Sequence, residues 1–374
     1  MLVIRKTQDP RLKEEIMHIS KKNGRTATLA LGMAFALGMA GCTNSGESGS
    51  SATTDTGKKA QAQSQVTSAD GCTYSKLGVP KVDLKGAKIG FSQSEPDSAA
   101  FRAAETKSIK DAAKAAGATA VVTNANSELP KQISDIQELI NQKVDILVVA
   151  PVNSDGLTPA LEAAHKAKIP VITIDRKVTD TFCKDYVSFL GSDFKVQGQR
   201  AADALAKQTN SKANVAVLLG PSGNNVTDGR RDGFVNQVKA KYPNIKIVAQ
   251  QTANASRDEG QKVTAQLLQT HPEINAVYAF NDESGLGAMA AIQEAGKKPG
   301  SDVKIVSIDG TRNAVQAIVD GKYNGVIESN PRFGDLVFET LKQFYDGKAI
   351  AENIIIKDGE YTPENAKSTL GQAF

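Results

Sequence analysis

Short apolar runs of strand type alternate with amphipathic helical stretches along most of this chain. The runs are continuous in Val, Ile, Ala and Leu, which is typical of strands covered on both faces. Regular alternation of this kind predicts an α/β fold built from doubly wound parallel sheets. We predict ten strands, over residues 87–93, 119–123, 145–150, 171–174, 186–190, 214–219, 245–250, 276–280, 303–308 and 325–328.

Ten strands are too many for one compact sheet of this type, so we predict two lobes. The break falls near Gly191 to Asp193, where the fifth strand ends and a helix over 194–208 begins a second β-α series. No Pro- or Gly-rich linker marks this point. A hinge between the lobes is therefore favoured over a flexible linker.

Four apolar runs lead into polar residues that a buried strand has no packing reason to carry. Ligands of open α/β sheets bind at the carboxyl ends of the strands, so these residues predict a site. Carboxylates, guanidinium groups and an amide, without histidine or cysteine, suit a neutral, hydroxyl-rich ligand. The residues are Asp175, Arg176, Arg230, Asn281, Asp282 and Asp309.

Each of these residues also has a structural interpretation. Arg230 lies in the first turn of a predicted helix beginning near Asn225, where an exposed, solvated arginine is common. Asp175 and the following Arg176 can form an internal ion pair at a strand end. Asn281 and Asp282 precede a helix, and we predict that Asp282 is its N-cap while Asn281 contacts ligand. Asp309 precedes a glycine in a tight turn that by itself favours Asp.

Composition and histidine placement argue against nucleic-acid binding and catalysis. The 374 residues carry a net charge of +4 with 5% aromatic residues, and no basic, aromatic-rich stripe is present. His18 lies in the leader, His165 on a predicted helix and His271 in a loop, so none is placed as a base in the cleft. We therefore predict no enzymatic activity, no cofactor, no metal site and no nucleic-acid partner.

The N-terminal 41 residues have the organisation of an export signal. Basic residues Lys21, Lys22 and Arg25 precede an uncharged stretch over 26–41. That stretch is shorter than the ~20 residues of a spanning helix. Met39 to Cys42 resembles a lipobox, which predicts lipidation at Cys42, although a plain secretory signal with a chance cysteine is the alternative. Translation starting at Met17 is a further hypothesis.

Residues 42–85 are predicted to be the lipidated cysteine and a flexible tether, because the stretch after Cys42 is rich in Ser, Thr, Gly and Gln. The protein would then be exported and anchored to the outer face of the cytoplasmic membrane. Cys72 and Cys183 can form a disulfide in an oxidising compartment, or remain two thiols.

Eight short motifs follow one another across nearly the whole chain from residue 85. They are FSQ at 91–93, FRAAE at 101–105, VAPVNSDGL at 149–157, IPVITIDR at 169–176, GRRDGF at 229–234, FNDESGLGA at 280–288, VSIDGT at 306–311 and IESNP at 327–331. Singly they are weak, but taken together in this order they resemble the ribose- and galactofuranose-type sugar-binding proteins of bacterial ABC importers, and the order is specific for that family.

The resemblance implies two lobes joined by three hinge crossings that close on one sugar. Lobe one would comprise 86–191 plus 330–357, and lobe two 192–329 plus 358–374. The protein would be a monomeric solute-binding lipoprotein that captures a monosaccharide such as fructose, galactofuranose or ribose. It would deliver the sugar to a permease and an ATPase on other chains.

The resemblance also implies ligand-contacting residues. Phe101 would stack on the sugar ring, and the strand-end residues of the two lobes would take its hydroxyls. Ala255 stands where the family usually has an aromatic residue. Glu328 and Ser329 are equal candidates for a contact near a crossing. The predicted set is Ser92, Gln93, Phe101, Arg102, Asp175, Arg176, Arg230, Asn281, Asp309 and Glu328.

Two other functions are open to a chain of this kind. A sugar-responsive repressor would need a DNA-binding helix-turn-helix before the first strand, where this chain has a signal and a tether instead. A binding lipoprotein for another polyol or a furanose-like signal, acting as a sensor partner, is the closer alternative.

Overall fold

The computed structural model describes residues 57–66 and 70–374 of the chain. The strands in these residues are β1 (Ala62–Val66), β2 (Lys88–Gln93), β3 (Thr119–Asn124), β4 (Ile146–Val149), β5 (Val171–Ile174), β6 (Ser188–Gly191), β7 (Ala213–Leu219), β8 (Ile245–Thr252), β9 (Ala276–Ala279), β10 (Lys304–Asp309), β11 (Gly325–Glu328), β12 (Asn353–Ile356) and β13 (Glu360–Tyr361). The helices are α1 (Tyr74–Leu77), α2 (Ala100–Ala115), α3 (Leu129–Asn141), α4 (Thr158–Lys166), α5 (Phe194–Gln208), α6 (Asn225–Lys241), α7 (Arg257–Thr270), α8 (Asp282–Glu294), α9 (Arg312–Val319), α10 (Gly334–Tyr345) and α11 (Ala366–Thr369).

The strands form two sheets. The first has the order β1-β12-β6-β5-β4-β2-β3 and the second β13-β11-β10-β9-β7-β8. Every pairing is parallel except those of the edge strands β1 with β12 and β13 with β11. The predicted fold class, two doubly wound α/β lobes, is confirmed. We call the elements around the first sheet lobe one and those around the second sheet lobe two.

Within the described residues, the chain passes between the sheets three times. It leaves the first sheet after β6, returns between β11 and β12, and leaves again between β12 and β13. The three connecting segments are hereafter the first, second and third crossings. The exact lobe boundaries at 191, 330 and 357 stay a prediction.

Local sequence explains where the elements begin. The four residues of β4 are all buried, because helices cover both faces of a parallel sheet. Helix α5 begins after Asp193, whose side chain accepts a hydrogen bond from the Val196 amide. Helix α6 begins after Asn224, which accepts from the Thr227 amide. Helix α5 follows β6 and helix α6 follows β7, so both helices begin at the carboxyl side of a strand.

The flexible tether predicted over 42–85 is wrong for the described part of that range. Residues Ala62–Val66 pair antiparallel with β12 although all five side chains are exposed. Leu77 and Val79 are buried in the core of lobe one. A polar composition lowers apolar burial, but the edge of a sheet binds a strand through its backbone groups. The predictions for residues 1–41 and Cys42 lie outside the described residues.

A disulfide joins Cys72 to Cys183, 111 residues apart. Cys72 also exchanges two backbone hydrogen bonds of 2.8 Å with Ile350. The start of the described fold is thereby held against lobe one. Within residues 57–66 and 70–374, no helix has the length and apolarity to cross a bilayer.

Candidate functional site

A cavity of about 550 Å³ lies between the carboxyl ends of strands from both sheets. Seven of the ten predicted ligand contacts line it. Lobe one contributes Phe101, Arg102, Asp175 and Arg176 to its wall, and lobe two contributes Arg230, Asn281 and Asp309. Most of these residues were predicted because ligands bind at the carboxyl ends of parallel strands, and the structure places them together at those ends.

Asp175 and Arg102 form the centre of the lobe-one wall. The Arg102 guanidinium lies 2.8 Å from Asp175 Oδ2 and 2.9 Å from Glu105 Oε2. Asp175 has a φ of 62°, a backbone conformation that non-glycine residues rarely adopt. Strained backbone of this kind costs of order 1–3 kcal/mol and is concentrated at functional sites. This backbone conformation occurs directly after the end of β5, where Asp175 lines the cavity.

Glu95 is a cavity residue that the sequence analysis missed. Its carboxylate pairs with Arg102, and its Oε1 lies 2.7 Å from Nη2 of Arg176. Burial would raise the pKa of Glu95, but the two guanidinium groups outweigh it and lower this pKa to about 2. Glu95 follows the end of β2, so the strand-end signal used for the other residues could have identified it.

Arg176 also binds the backbone of lobe one. Its Nη1 donates to the carbonyl oxygens of Pro151 and Val152, each at 3.0 Å. Its Nε is buried and makes no hydrogen bond. Glu105 carries a second such atom, Oε1, and burial raises the pKa of Glu105 to about 7. Both atoms are buried polar atoms without a partner, one in a residue that lines the cavity and one in the layer behind it.

Arg230 is the centre of the lobe-two wall and is held by three acceptors. Its Nε donates to Gln197 Oε1 at 3.0 Å, its Nη1 to the Phe280 carbonyl at 3.0 Å and its Nη2 to Asp309 Oδ1 at 3.1 Å. Burial and the neighbouring carboxylate of Asp282 raise the pKa of Asp309, against the lowering effect of Arg230. The guanidinium is thus fixed in one orientation before any ligand binds.

The predicted roles of Asn281 and Asp282 are wrong in part. Asn281 is the N-cap of α8, because its Oδ1 accepts from the Ser284 amide at 3.0 Å. Its Nδ2 donates to the Ala255 carbonyl at 3.2 Å, and the residue still lines the cavity. Asp282 instead is fully buried and accepts from Ser307 and from the turn at residues 310–311. Asp282 therefore holds the turn after β10, which follows Asp309.

Three predicted contacts, Ser92, Gln93 and Glu328, do not line the cavity. Ser92 accepts a hydrogen bond from Gln132, and Gln93 donates to Glu105 at 2.9 Å. Glu328 accepts from the Gly359 amide at 2.7 Å. Each side chain points into a packed layer rather than out of the strand end, so these three assignments are corrected to supporting positions.

Two aromatic rings complete the wall. Phe101 of lobe one lies edge-on to Phe374, with ring centroids 5.8 Å apart. Phe280 of lobe two lines the cavity, with the Arg230 guanidinium 4.9 Å from its ring centroid. Ala255 lines the cavity as well. Phe280 is the last residue of a predicted strand, and its apolar side chain gave no sign in the sequence of a ligand contact.

The arrangement offers hydrogen-bond donors and acceptors beside apolar ring faces. Such a wall suits a compact ligand with many hydroxyl groups and C–H faces. Within the described residues, no group of three or more His, Cys, Asp and Glu side chains could hold a metal ion.

Comparison with known proteins identifies the family. The periplasmic binding protein domain matches residues 89–349. The fructose import binding protein of Bifidobacterium longum is 36% identical over 75% of this chain and 86% of its own. The galactofuranose-binding protein of Escherichia coli is 33% identical over 75% of this chain and 90% of its own.

A solved structure from Mycobacterium smegmatis, in complex with β-D-fucofuranose, aligns with a TM-score of 0.72. It is 38% identical and covers 76% of this chain and 94% of its own. These relatives are substrate-binding proteins, so the prediction that the chain is not an enzyme is confirmed. The resemblance found from the sequence motifs is also confirmed: the chain belongs to the periplasmic binding protein domain family.

Proposed function

We propose that this protein binds a monosaccharide between its two lobes and delivers it to the permease of an ABC importer. The observation that carries the proposal is the division of the charged cavity residues between the lobes. Asp175 and Arg176 lie on lobe one, and Arg230 and Asp309 on lobe two. A ligand that bonds to both sets binds the closed arrangement of the lobes more tightly than the open one, so it favours closure. A ligand that bonds to one set alone has no such preference.

The size and the charge pattern of the cavity support a small neutral ligand. Its volume of about 550 Å³ lies within the range of small-molecule sites. The guanidinium groups of Arg102, Arg176 and Arg230 each face at least one carboxylate. A wall with its charges already paired suits a neutral polyol, which needs both donors and acceptors and no counter-charge.

A furanose-capable sugar is favoured within this class. The relatives bind fructose and galactofuranose, and the solved neighbour holds a fucofuranose. Replacement of a second-lobe aromatic by Ala255 leaves the lobe-two wall to Phe280 and polar groups. We propose fructose, galactofuranose or ribose as the ligand.

We also propose that the protein is exported and lipid-anchored at Cys42, on the outer face of the cytoplasmic membrane. The sequence from Met39 to Cys42 supports this, and the disulfide between Cys72 and Cys183 supports an oxidising compartment. The permease and ATPase would be separate chains, and the binding protein would act as a monomer.

A thermal-shift panel tests the proposed ligand class. The protein is heated with D-ribose, D-xylose, D-fructose, D-galactose or L-arabinose, and a ligand of the folded state raises the melting temperature. We expect the largest rise with D-fructose or D-ribose. Equal melting temperatures with and without all five sugars would contradict the proposal.

A further inference from the structure

A buried hydrogen-bonded chain connects the cavity to all three crossings. It begins at Arg230, whose Nε donates to Gln197 Oε1 at 3.0 Å. The other end of the same amide, Gln197 Nε2, donates to Asp358 Oδ2 at 2.8 Å. Arg230 and Gln197 are 3% and 1% exposed, so water does not compete for the bond between them, while the bond to Asp358 is partly buried.

Asp358 lies on the third crossing and binds the other two. Its Oδ1 accepts from the Ser192 hydroxyl on the first crossing at 3.1 Å and from the Asn330 amide on the second crossing at 3.3 Å. Its carbonyl oxygen accepts from Arg200 at 3.0 Å. One carboxylate thus touches each segment that must change conformation when the lobes move.

Packing of α5 on α6 brings Gln197 to Arg230. A Cβ atom built on Gly198 would lie 2.2 Å from the Arg230 carbonyl oxygen, so no larger residue fits there without a shift. The close approach leaves Gln197, one residue earlier, beside the Arg230 guanidinium. Neither Gln197 nor Asp358 lines the cavity.

We propose that Gln197 is a positioning residue for Arg230 and that, through Asp358, it couples ligand contact at Arg230 to the conformation of the three crossings. The proposal rests on the proposed function. The Gln197 amide has a defined direction, because Arg230 requires an acceptor and Asp358 requires a donor. Turning the amide over would break both bonds.

This direction permits a test by exchanging amide and carboxylate. Gln197→Glu places two carboxylates together. Asp358→Asn leaves one acceptor oxygen in place of two, so this side chain can accept from Gln197 or from Ser192 and Asn330 but not from both sides. The double variant Gln197→Glu with Asp358→Asn restores an acceptor for Arg230 and a donor–acceptor pair between positions 197 and 358. We expect each single variant to raise the Kd for sugar by ~10-fold to ~100-fold, the effect of losing one hydrogen bond to a charged group. The double variant should bind with a Kd within about threefold of that of the unsubstituted protein.

The Kd values are measured by calorimetry with D-fructose, or with whichever panel sugar the unsubstituted protein binds. Gln197→Met, which removes the bonds to Arg230 and Asp358, should also raise the Kd. Gln199→Met, at a half-buried position on the same helix, is its matched control. Circular dichroism checks that each variant is folded. Folded single variants that bind with unchanged Kd would overturn the coupling, and so would a double variant that binds no better than the singles.

A measurement without sugar separates this inference from the proposed function. Hydrogen exchange of the Arg230 Nε–H, followed by NMR and assigned with Arg230→Lys, should become faster in Gln197→Met and stay unchanged in Gln199→Met. Equal exchange rates would overturn the positioning role. Failure of the unsubstituted protein to bind any panel sugar would instead contradict the proposed function and remove the coupling with it.

Discussion

Asn225 of lobe two and Ser154 of lobe one exchange two hydrogen bonds across the mouth of the cleft. The Asn225 amide donates to Ser154 Oγ at 3.2 Å, and Ser154 Oγ donates to Asn225 Oδ1 at 3.3 Å. The Lys177 amide of lobe one donates to the same Oδ1 at 3.2 Å. Since neither Asn225 nor Ser154 lines the cavity, these bonds stabilise the closed arrangement without touching a ligand.

Replacing Asn225 should therefore weaken binding through the closed state. Asn225→Ala removes the acceptor shared by Ser154 and Lys177, and we expect the Kd for sugar to rise by roughly threefold to tenfold, about the worth of one net hydrogen bond. The change should fall on the dissociation rate, because the bonds form only after closure. Calorimetry and stopped-flow tyrosine fluorescence measure the two quantities. Asn244→Ala, on an exposed loop of lobe two, is the control, and equal Kd values for the two variants would refute this role.

The lowered pKa of Glu95 predicts how the stability of the fold depends on pH. Its pKa is lowered in the folded protein to about 2 from an ordinary value of 4.5. An acid with a lowered pKa stabilises the fold fully above its unfolded value, and this contribution is lost as the pH falls toward the folded value. The stability difference between the unsubstituted protein and Glu95→Gln should thus shrink by about 1 kcal/mol from pH 6 to pH 3.5.

Urea unfolding at the two pH values measures this difference. Glu128→Gln, at an exposed position before α3, provides the matched control and should show no comparable change between the two pH values. A difference for Glu95→Gln that stays constant or grows on acidification would contradict the ion-pair account of the lobe-one wall.

The disulfide predicts a large loss of stability on reduction. It closes a loop of 111 residues between Cys72 and Cys183. Constraint of the unfolded chain by such a bond typically contributes 2–4 kcal/mol, so Cys72→Ala with Cys183→Ala should lower the free energy of unfolding by about this amount. Urea unfolding gives the value, and thiol titration of the denatured protein should gain two reactive groups on reduction. An unchanged thiol count would show that the bond does not form.

The sequence predicted the fold well where apolar burial determines it. Strands such as β5 and β11 were predicted with their observed bounds. Each is a continuous apolar run, which is stable only as a strand buried between the helices on both faces of a parallel sheet. Strand β1 was missed, since its polar side chains are exposed and its stability comes from backbone bonds to β12. A pattern of hydrophobic positions does not report that kind of pairing.

Prediction of the site succeeded for strand ends and failed for side-chain direction. Asp175 and Asp309 follow or end their strands and line the cavity. Gln93 also ends a strand, yet its side chain turns to Glu105 in a packed layer. Asn281 and Asp282 are adjacent in sequence, but Asn281 caps α8 whereas Asp282 is buried and accepts a hydrogen bond from the turn after β10. The sequence around the two residues does not show this distant contact. Tertiary contacts, not local pattern, set these directions.

Calorimetric titration of Arg230→Ala tests the central claim most directly. The matched control is Arg231→Ala, because Arg231 is the adjacent residue and pairs with Asp228 and Asp232 at the surface. We expect the unsubstituted protein and Arg231→Ala to bind one sugar molecule per chain with equal Kd. Arg230→Ala should raise the Kd at least ~100-fold, because it leaves the buried Asp309 without its partner. Equal sugar affinity in Arg230→Ala and Arg231→Ala would contradict the assignment of this cavity as the sugar site.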